Sequence, residues 1–529
     1  MAETGQPDAG GQGGAPRPVR PPVRVLDPAT ALRRTDGQAP DPALYLSDRL
    51  LVRNEPGGTR GLGDLAQALD PLDLDYVETP RAGGGTRGLD SSSDWGTSIT
   101  LRPRRSIDTV DAWNVLQRLR AAGDPIAERL SLEHVLRPAD CYWGGVGYWG
   151  GVGGYWGGVG GYWGGVGYWG GVGYWGGVSS ALQEYAVPGR GGRMPVSLAL
   201  PDPALRAREL ARRPVVAVPD TAVAKHPWFK DDRTIVRLAY ENGRLVPAGP
   251  PEDVAAAPAG APAEGISDTP KPQEPVGLLH GHATFIAGLV RQGCPEATIL
   301  SIPVMGEDGQ VDEADILDVL EALLDRHVHG QTSNHPEDCI DVLSLSLGYY
   351  AEDRTYTSGP VADLLDRFAE AGVAVVAGAG NDGTSAPFVP AALAASLPQR
   401  ITAKALPPLS SVGASNPDGS TVALFSNPLP VITAVRPGVS VVSTLPLTNG
   451  MGQPSSKVEG DGPVRCTVDP DDYTGGFGVW SGTSFATPVF AAEIAAAIAA
   501  EKDVDDVSPS VMRKRALRAL RRCISKAGA

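Results

Sequence analysis

The chain has 529 residues, a formal net charge of −15, 67 glycines, 48 prolines and five cysteines. That length predicts two or three domains with a sizeable core, and the glycine and proline content predicts extensive loops and linkers between them. The acidic balance argues against nucleic-acid binding and against docking on anionic membranes, and Cys141, Cys294, Cys339, Cys466 and Cys523 form no CxxC pair that would suggest a disulfide framework or a zinc site.

The opening MAETGQPDAGGQGGAPRP has no basic start followed by an apolar run, and no apolar stretch is long enough to span a bilayer. A cytoplasmic location and no membrane partner are therefore expected. Residues 1–40 are Gly/Pro/Ala-rich and read as a disordered tail.

From 41 to 138 the pattern becomes periodic. Ala43–Arg53 reads as a strand, Gly63–Leu72 as a short helix and Leu74–Glu78 as a strand. A turn at Gly83–Gly85 follows, then a strand over Thr97–Arg102. A helix is predicted over Asp108–Ala122, with Val110, Trp113, Leu116 and Leu119 at three-residue steps and Asp108 as N-cap. Leu130–Arg137 closes the module as a strand, in which His134 reads as an ordinary strand residue. The order β-α-β-β-α-β is the ferredoxin-like signature of a small α+β domain.

Residues 139–194 form a linker dominated by six copies of Tyr-Trp-Gly-Gly-Val, beginning at Tyr142, Tyr148, Tyr155, Tyr162, Tyr168 and Tyr174. Ordering so glycine-rich a backbone is entropically costly, and so short a period is not that of a solenoid or propeller. Three readings stay open: a flexible linker, an aromatic-glycine segment for self-association, or a tandem array of peptide units cut out by a protease.

From 195 to 525 strands alternate with helices: strands at Val215–Val218, Thr234–Tyr240, Ile299–Val304, Asp341–Leu347 and Val373–Ala377. Helices begin at Ala283 and span Asp312–Val328, Pro360–Ala371 and Val489–Ala500. The Pro/Ala-rich stretch Pro247–Pro275 reads as a surface loop. This alternation implies βαβ units, a parallel sheet with helices on both faces, and ligands bound beyond the carboxyl ends of the strands.

The candidate chemistry sits at those ends. Asp220 follows the strand at Val215. His282, in GHATFIAG, starts a helix, with His280 a competitor on composition alone. Asn381, in GAGNDG, lies on a Gly-flanked turn where its amide can donate to an oxyanion. Ser484, in SGTSFATP, stands where a Gly-containing turn enters a helix and backbone N–H groups favour developing negative charge. Any one of these could be a simple cap, but four in order at strand ends and helix starts argue for a site. The cluster His327, His329 and His335 reads as solvated surface rather than metal ligands.

These segments resemble those of the subtilisin-like serine proteases (subtilases) over about residues 205–520. GTSFATP is similar to the family's G-T-S-x-A-T/S-P, GHATFIAG to its G-H-G-T-H-V-A-G, which selects His282 over His280, and PDTAVAKHPWF to its D-T/S-G motif followed by His-Pro. GAGNDG resembles the oxyanion turn, Ser344–Gly348 the substrate-binding edge strand ending in S-x-G, and Arg436–Val439 and Ser410–Ala414 framework motifs. The resemblance implies a subtilisin-like α/β fold and a serine endopeptidase, with Asp220, His282 and Ser484 as triad and Asn381 as oxyanion donor. It implies Ser346, Leu347 and Gly348 in substrate binding, and a peptide or protein substrate that includes the repeat segment as a candidate. It also implies that residues 41–138 are a propeptide whose removal involves autoprocessing. No cofactor is expected; family members often bind structural Ca²⁺, for which no ligand spacing is readable here. Ala222, Ala283 and Phe285 depart from the motifs at two glycines and a histidine, with an alanine cost expected wherever positive φ is needed. None removes a reacting group, and the alternative is a catalytically inactive subtilase-fold peptide-binding or assembly protein built on the repeats.

Overall fold

The computed structural model describes residues 22–54, 62–79, 93–105, 109–138, 193–250, 279–395 and 409–525, with short breaks inside the last three stretches. The glycine turn at 83–85, the repeat array and most of the Pro/Ala-rich stretch lie outside the described residues.

Within the segment expected to be a tail, β1 (Val23–Leu26) is a strand that pairs antiparallel with β2 (Ala43–Arg53). Then follow α1 (Gly63–Leu69), β3 (Leu74–Glu78), β4 (Gly96–Pro103), α2 (Ala112–Ala122) and β5 (Leu130–Pro138). The strands are antiparallel in the order β5-β2-β4-β3. Helix α2 starts four residues later than expected: Asp111, not Asp108, is the N-cap, accepting from Asn114 N at 3.1 Å. Asp111 also takes the Tyr45 hydroxyl and the Arg24 guanidinium, so tertiary partners choose between two chemically equivalent caps. This part has its own hydrophobic core, centred on Leu50, Leu65, Ile99, Trp113, Leu116 and Leu132.

The strands of the second part are β6 (Met194–Pro195), β7 (Val215–Asp220), β8 (Ile235–Glu241), β9 (Arg244–Pro247), β10 (Thr298–Pro303), β11 (Val311–Asp312), β12 (Val342–Leu345), β13 (Leu347–Tyr350), β14 (Ala374–Gly378), β15 (Phe388–Val389), β16 (Ser410–Ser415), β17 (Ala434–Pro437), β18 (Val441–Thr444), β19 (Lys457–Val458), β20 (Arg465–Cys466) and β21 (Phe477–Trp480). Its helices are α3 (His282–Gly293), α4 (Glu313–Ser333), α5 (Pro360–Ala371), α6 (Thr483–Ala499) and α7 (Pro509–Ser525). The main sheet runs β17-β16-β14-β12-β7-β10-β8-β9, parallel except for the β8–β9 hairpin. Strands β7, β14 and β16 are buried along their whole length, as a parallel sheet covered by helices requires. Helix α3 packs against α6, α4 against α5, and α7 against both α5 and α6.

Two differences from the expected elements bear on the site. The segment expected as one strand over Asp341–Leu347 breaks at Ser346: β12 stays in the main sheet, and β13 leaves it to pair antiparallel with β15 and β5. A single sheet path therefore runs β15-β13-β5-β2-β4-β3 and joins the N-terminal part to the second. Helix α6 begins at Thr483 rather than Val489, so Ser484 lies in its first turn. Pro488, expected to precede the helix, lies inside it and has no N–H for the carbonyl of Ser484 four residues back.

Candidate active site

Strand β7 ends at Asp220, and Thr221 N donates to its Oδ1 at 2.7 Å. Thr221 Oγ1 accepts from Ala283 N at 3.0 Å, which ties the start of α3 to the end of β7. Gly281, at φ 80°, lets the chain turn into that helix; a Cβ there would fall 2.4 Å from Pro446 Cδ. Helix α3 is anchored on its other side by Thr444 Oγ1 donating to Thr284 O and Ser443 Oγ donating to Phe285 O, both at 2.7 Å. The result is a close contact between His282 Nδ1 and Asp220 Oδ1 at 2.7 Å, with both side chains fully buried. His280 points elsewhere, with Nε2 at 2.9 Å from Thr448 Oγ1.

The expected alanine penalties do not arise. Neither Ala222 nor Ala283 is among the described non-glycine residues with positive φ, and Ala283 is helical. Phe285, in place of a histidine, joins Trp480 and Phe485 in an aromatic cluster, with ring centroids at 5.8 and 4.7 Å. The His282 ring lies against the same cluster, 5.5 Å from Trp480 and 5.3 Å from Phe485.

Ser484 sits beside Phe485 at the start of α6 and is buried. Its Oγ donates to Ser346 O at 3.0 Å, and Ser346 Oγ donates back to Ser484 O at 2.9 Å. The second bond exists because Pro488 leaves that helical carbonyl without its intrahelical donor. Asn381 follows Gly380, whose φ of 97° shapes the turn after β14. Asn381 Oδ1 accepts from Thr483 N at 2.9 Å, and Gly380 N donates to Thr483 Oγ1 at 3.1 Å. These bonds fix the Asn381 amide with Nδ2 buried and with no hydrogen-bond partner among the described residues.

Asn427, which the chain reading does not single out, holds this turn. Its Nδ2 donates to Ala379 O and to the Tyr350 hydroxyl at 3.0 and 2.9 Å, and its Oδ1 accepts from Asp382 N and Thr384 N at 3.0 and 3.1 Å. Its only sequence signal is an Asn-Pro step in a loop. Of the expected substrate-edge residues, Ser346 lies between β12 and β13 beside Ser484, while Leu347 and Gly348 pair with Pro138 and Arg137 of β5.

His134 is not an ordinary strand residue. It is buried, with Nδ1 2.8 Å from Glu313 Oε2, Nε2 3.0 Å from Glu352 Oε2, and its ring stacked on Tyr349 at 4.2 Å. Burial alone would pull its pKa down, but the two carboxylates outweigh it and push it up to about 10. The neighbouring Glu133, also buried, is pushed up to about 8 by burial, against the field of Arg49 and a hydrogen bond from Ser98. Trp95 Nε1 and Ser93 Oγ both donate to Asp318 on α4, at 3.0 and 3.3 Å. His327, expected on the surface, is buried: its ring bonds Ala371 O and Ile340 N, and burial pulls its pKa to about 4. Among the described residues no group of three or more His, Cys, Asp and Glu side chains could hold a metal ion.

Comparison with known proteins agrees with the motifs. A budding-yeast protein described as subtilase-type proteinase RRT12 (Saccharomyces cerevisiae) is 28% identical over 176 residues, 32% of this chain and 31% of that protein. The chain thus spans about a third of that relative. A point mutant of the protease domain of PatA aligns with 57% of this chain and 85% of its own, at 19% identity and a TM-score of 0.34. The model of the Subtilase family (Peptidase_S8) matches residues 211–523, more than half of the chain. The chain belongs to the subtilase family of serine proteases.

Proposed function

We propose that the chain is an active serine endopeptidase in which Asp220, His282 and Ser484 form the triad. The observation that carries the reading is the buried Asp220–His282 pair at 2.7 Å, with Ser484 in the first turn of α6 and the ring of the following residue, Phe485, 5.3 Å from that of His282. Asp220 holds the imidazole in one tautomer and stabilises the imidazolium. His282 takes the proton of Ser484 as Oγ forms a bond to the scissile carbonyl carbon. The C–N bond then breaks, His282 protonates the leaving amine, and water hydrolyses the acyl-enzyme by the same proton route. Asn381 Nδ2 and the Ser484 backbone N–H donate to the oxyanion.

Residues 41–138 act as an inhibitory propeptide in this reading. Their last strand adds to β13 beside Ser484, as a bound peptide would. The segment after Pro138, with its repeats, is the enzyme's own first substrate, and other peptides follow once the module is released.

Mass spectrometry of purified wild type beside Ser484→Ala tests this. Wild type should carry cuts between 138 and 193 that are missing from the variant. Uncut chains in both, with no labelling of wild-type Ser484 by a fluorophosphonate, would instead favour the inactive peptide-binding alternative.

A further inference from the structure

The edge strand that receives β5 also reveals what the site can accept. Pro138 stands opposite Leu347 and Arg137 opposite Gly348. In the same antiparallel register, the next residue of any bound peptide stands opposite Ser346. The carbonyl of Ser346 accepts from Ser484 Oγ, so that residue lies beside the nucleophile. Its side chain must enter the space between the start of β13 and the turn that follows β14.

Phe388 occupies that space. A Cβ on Gly348 would lie 2.7 and 2.8 Å from Phe388 Cε1 and Cζ, and one on Gly380 would lie 3.0 and 3.1 Å from its Cγ and Cδ1. The ring is thus wedged between the two glycines that form the opposing walls, and it is only 5% exposed. The Tyr350 ring packs against it at a tilt of 57°, with 5.1 Å between centroids. Tyr350 cannot swing aside without cost, because its hydroxyl donates to Asp382 Oδ2 and accepts from Asn427 Nδ2.

We propose that Phe388, locked by Tyr350, limits the residue on the acyl side of the scissile bond to glycine or alanine. The proposal rests on the endopeptidase reading and names its substrate class. The chain itself offers such bonds: Ala139 follows Pro138, and every Tyr-Trp-Gly-Gly-Val unit holds two adjacent glycines. A leucine or aromatic side chain would have to displace a packed ring, which a close-packed wall resists.

The test uses the full-length protein and peptide pairs that differ only in alanine or leucine at the acyl position. Wild type should favour alanine by about 100-fold or more in kcat/KM, a typical reach for steric discrimination in an apolar pocket. In Phe388→Ala the ratio should fall at least tenfold, and in Phe388→Leu it should lie between. Ratios within one protein do not depend on how much of it is folded. A wild type that labels with a fluorophosphonate yet cleaves the leucine peptide equally well overturns the pocket assignment, as does an unchanged ratio in both variants. Absence of labelling, of peptide cleavage and of any cut between 138 and 193 in the wild type overturns the endopeptidase reading itself, and this inference with it.

Discussion

The two ends of the Asn381 amide have different surroundings. Oδ1 accepts from Thr483 N and braces the start of α6, while Nδ2 is buried with no acceptor among the described residues. A buried donor without a partner costs free energy, and an oxyanion formed at Ser484 would satisfy it. Asn381→Ala should lower kcat by about 10²–10³ with little change in KM, a magnitude carried over from the corresponding donor of subtilisin itself. Asn381→Asp should be at least as damaging, because it can still accept from Thr483 but supplies no N–H. Steady-state kinetics on an alanine-acyl peptide decides it; an aspartate variant with wild-type kcat would rule out the donor role. At the same scale, Ala222 and Ala283 are tolerated because both backbones have ordinary φ, and Phe285 because an aromatic cluster receives it.

At the scale of elements, β5 joins two bodies with separate cores through a charged seam. Leu136 packs into the peptidase core, while Glu133 and His134 face Arg49, Asp312, Glu313 and Glu352. Both pKa values are raised above their ordinary values of 4.5 and 6.5, to about 8 and about 10. Each raised group contributes stability that is complete below its unfolded value and is lost as pH rises through its folded one. The seam should therefore weaken steadily from neutrality to pH 10. Glu352 is held below its ordinary value despite burial, mainly by the hydrogen bond from His134, and its contribution is lost instead as pH falls. Thermal unfolding of full-length Ser484→Ala should show this alkaline slope. Adding His134→Gln should destabilise by about 3–5 kcal/mol at neutral pH, because two buried carboxylates lose their cation, and should flatten the slope. Parallel curves for the two proteins would exclude His134 as its source.

At the scale of the whole molecule, α6 is the spine. It contacts β12, β14, β16 and β17 of the sheet and packs against α3 and α7. Phe490, fully buried at its middle, lies under the Arg436 guanidinium at 4.9 Å. Arg436 in turn holds Glu493 through two bonds at 2.8 and 2.7 Å and the carbonyl of Cys523 on α7. In a Ser484→Ala background, Phe490→Ala should cost about 3–5 kcal/mol through the cavity and the lost cation–π contact. Calorimetry should show a lowered transition for the peptidase part; an unchanged one would mean that α6 is not its organising helix.

Much of this was legible in the chain alone. Fully apolar strands alternating with helices have few arrangements, so the parallel sheet and its order of elements followed from pattern. Asp220 and His282 stand at a strand end and a helix start, the likeness of GHATFIAG to the subtilase motif singles out His282 over His280, and the contact between the two side chains is observed. The break at Ser346 was not legible: Val342–Tyr350 (VLSLSLGYY) carries no Pro, Asn or Asp to interrupt a strand, and only the competing partners β14 and β5 divide it between two sheets. Neither was the start of α6, because Pro488 reads as a helix boundary until the carbonyl it releases finds Ser346. The surroundings of His134, Asn427 and Phe388 are made by neighbours 38 to 218 residues away. A residue's type determined what chemistry it could perform; burial and long-range partners, which only folding assembles, decided which chemistry it was left with.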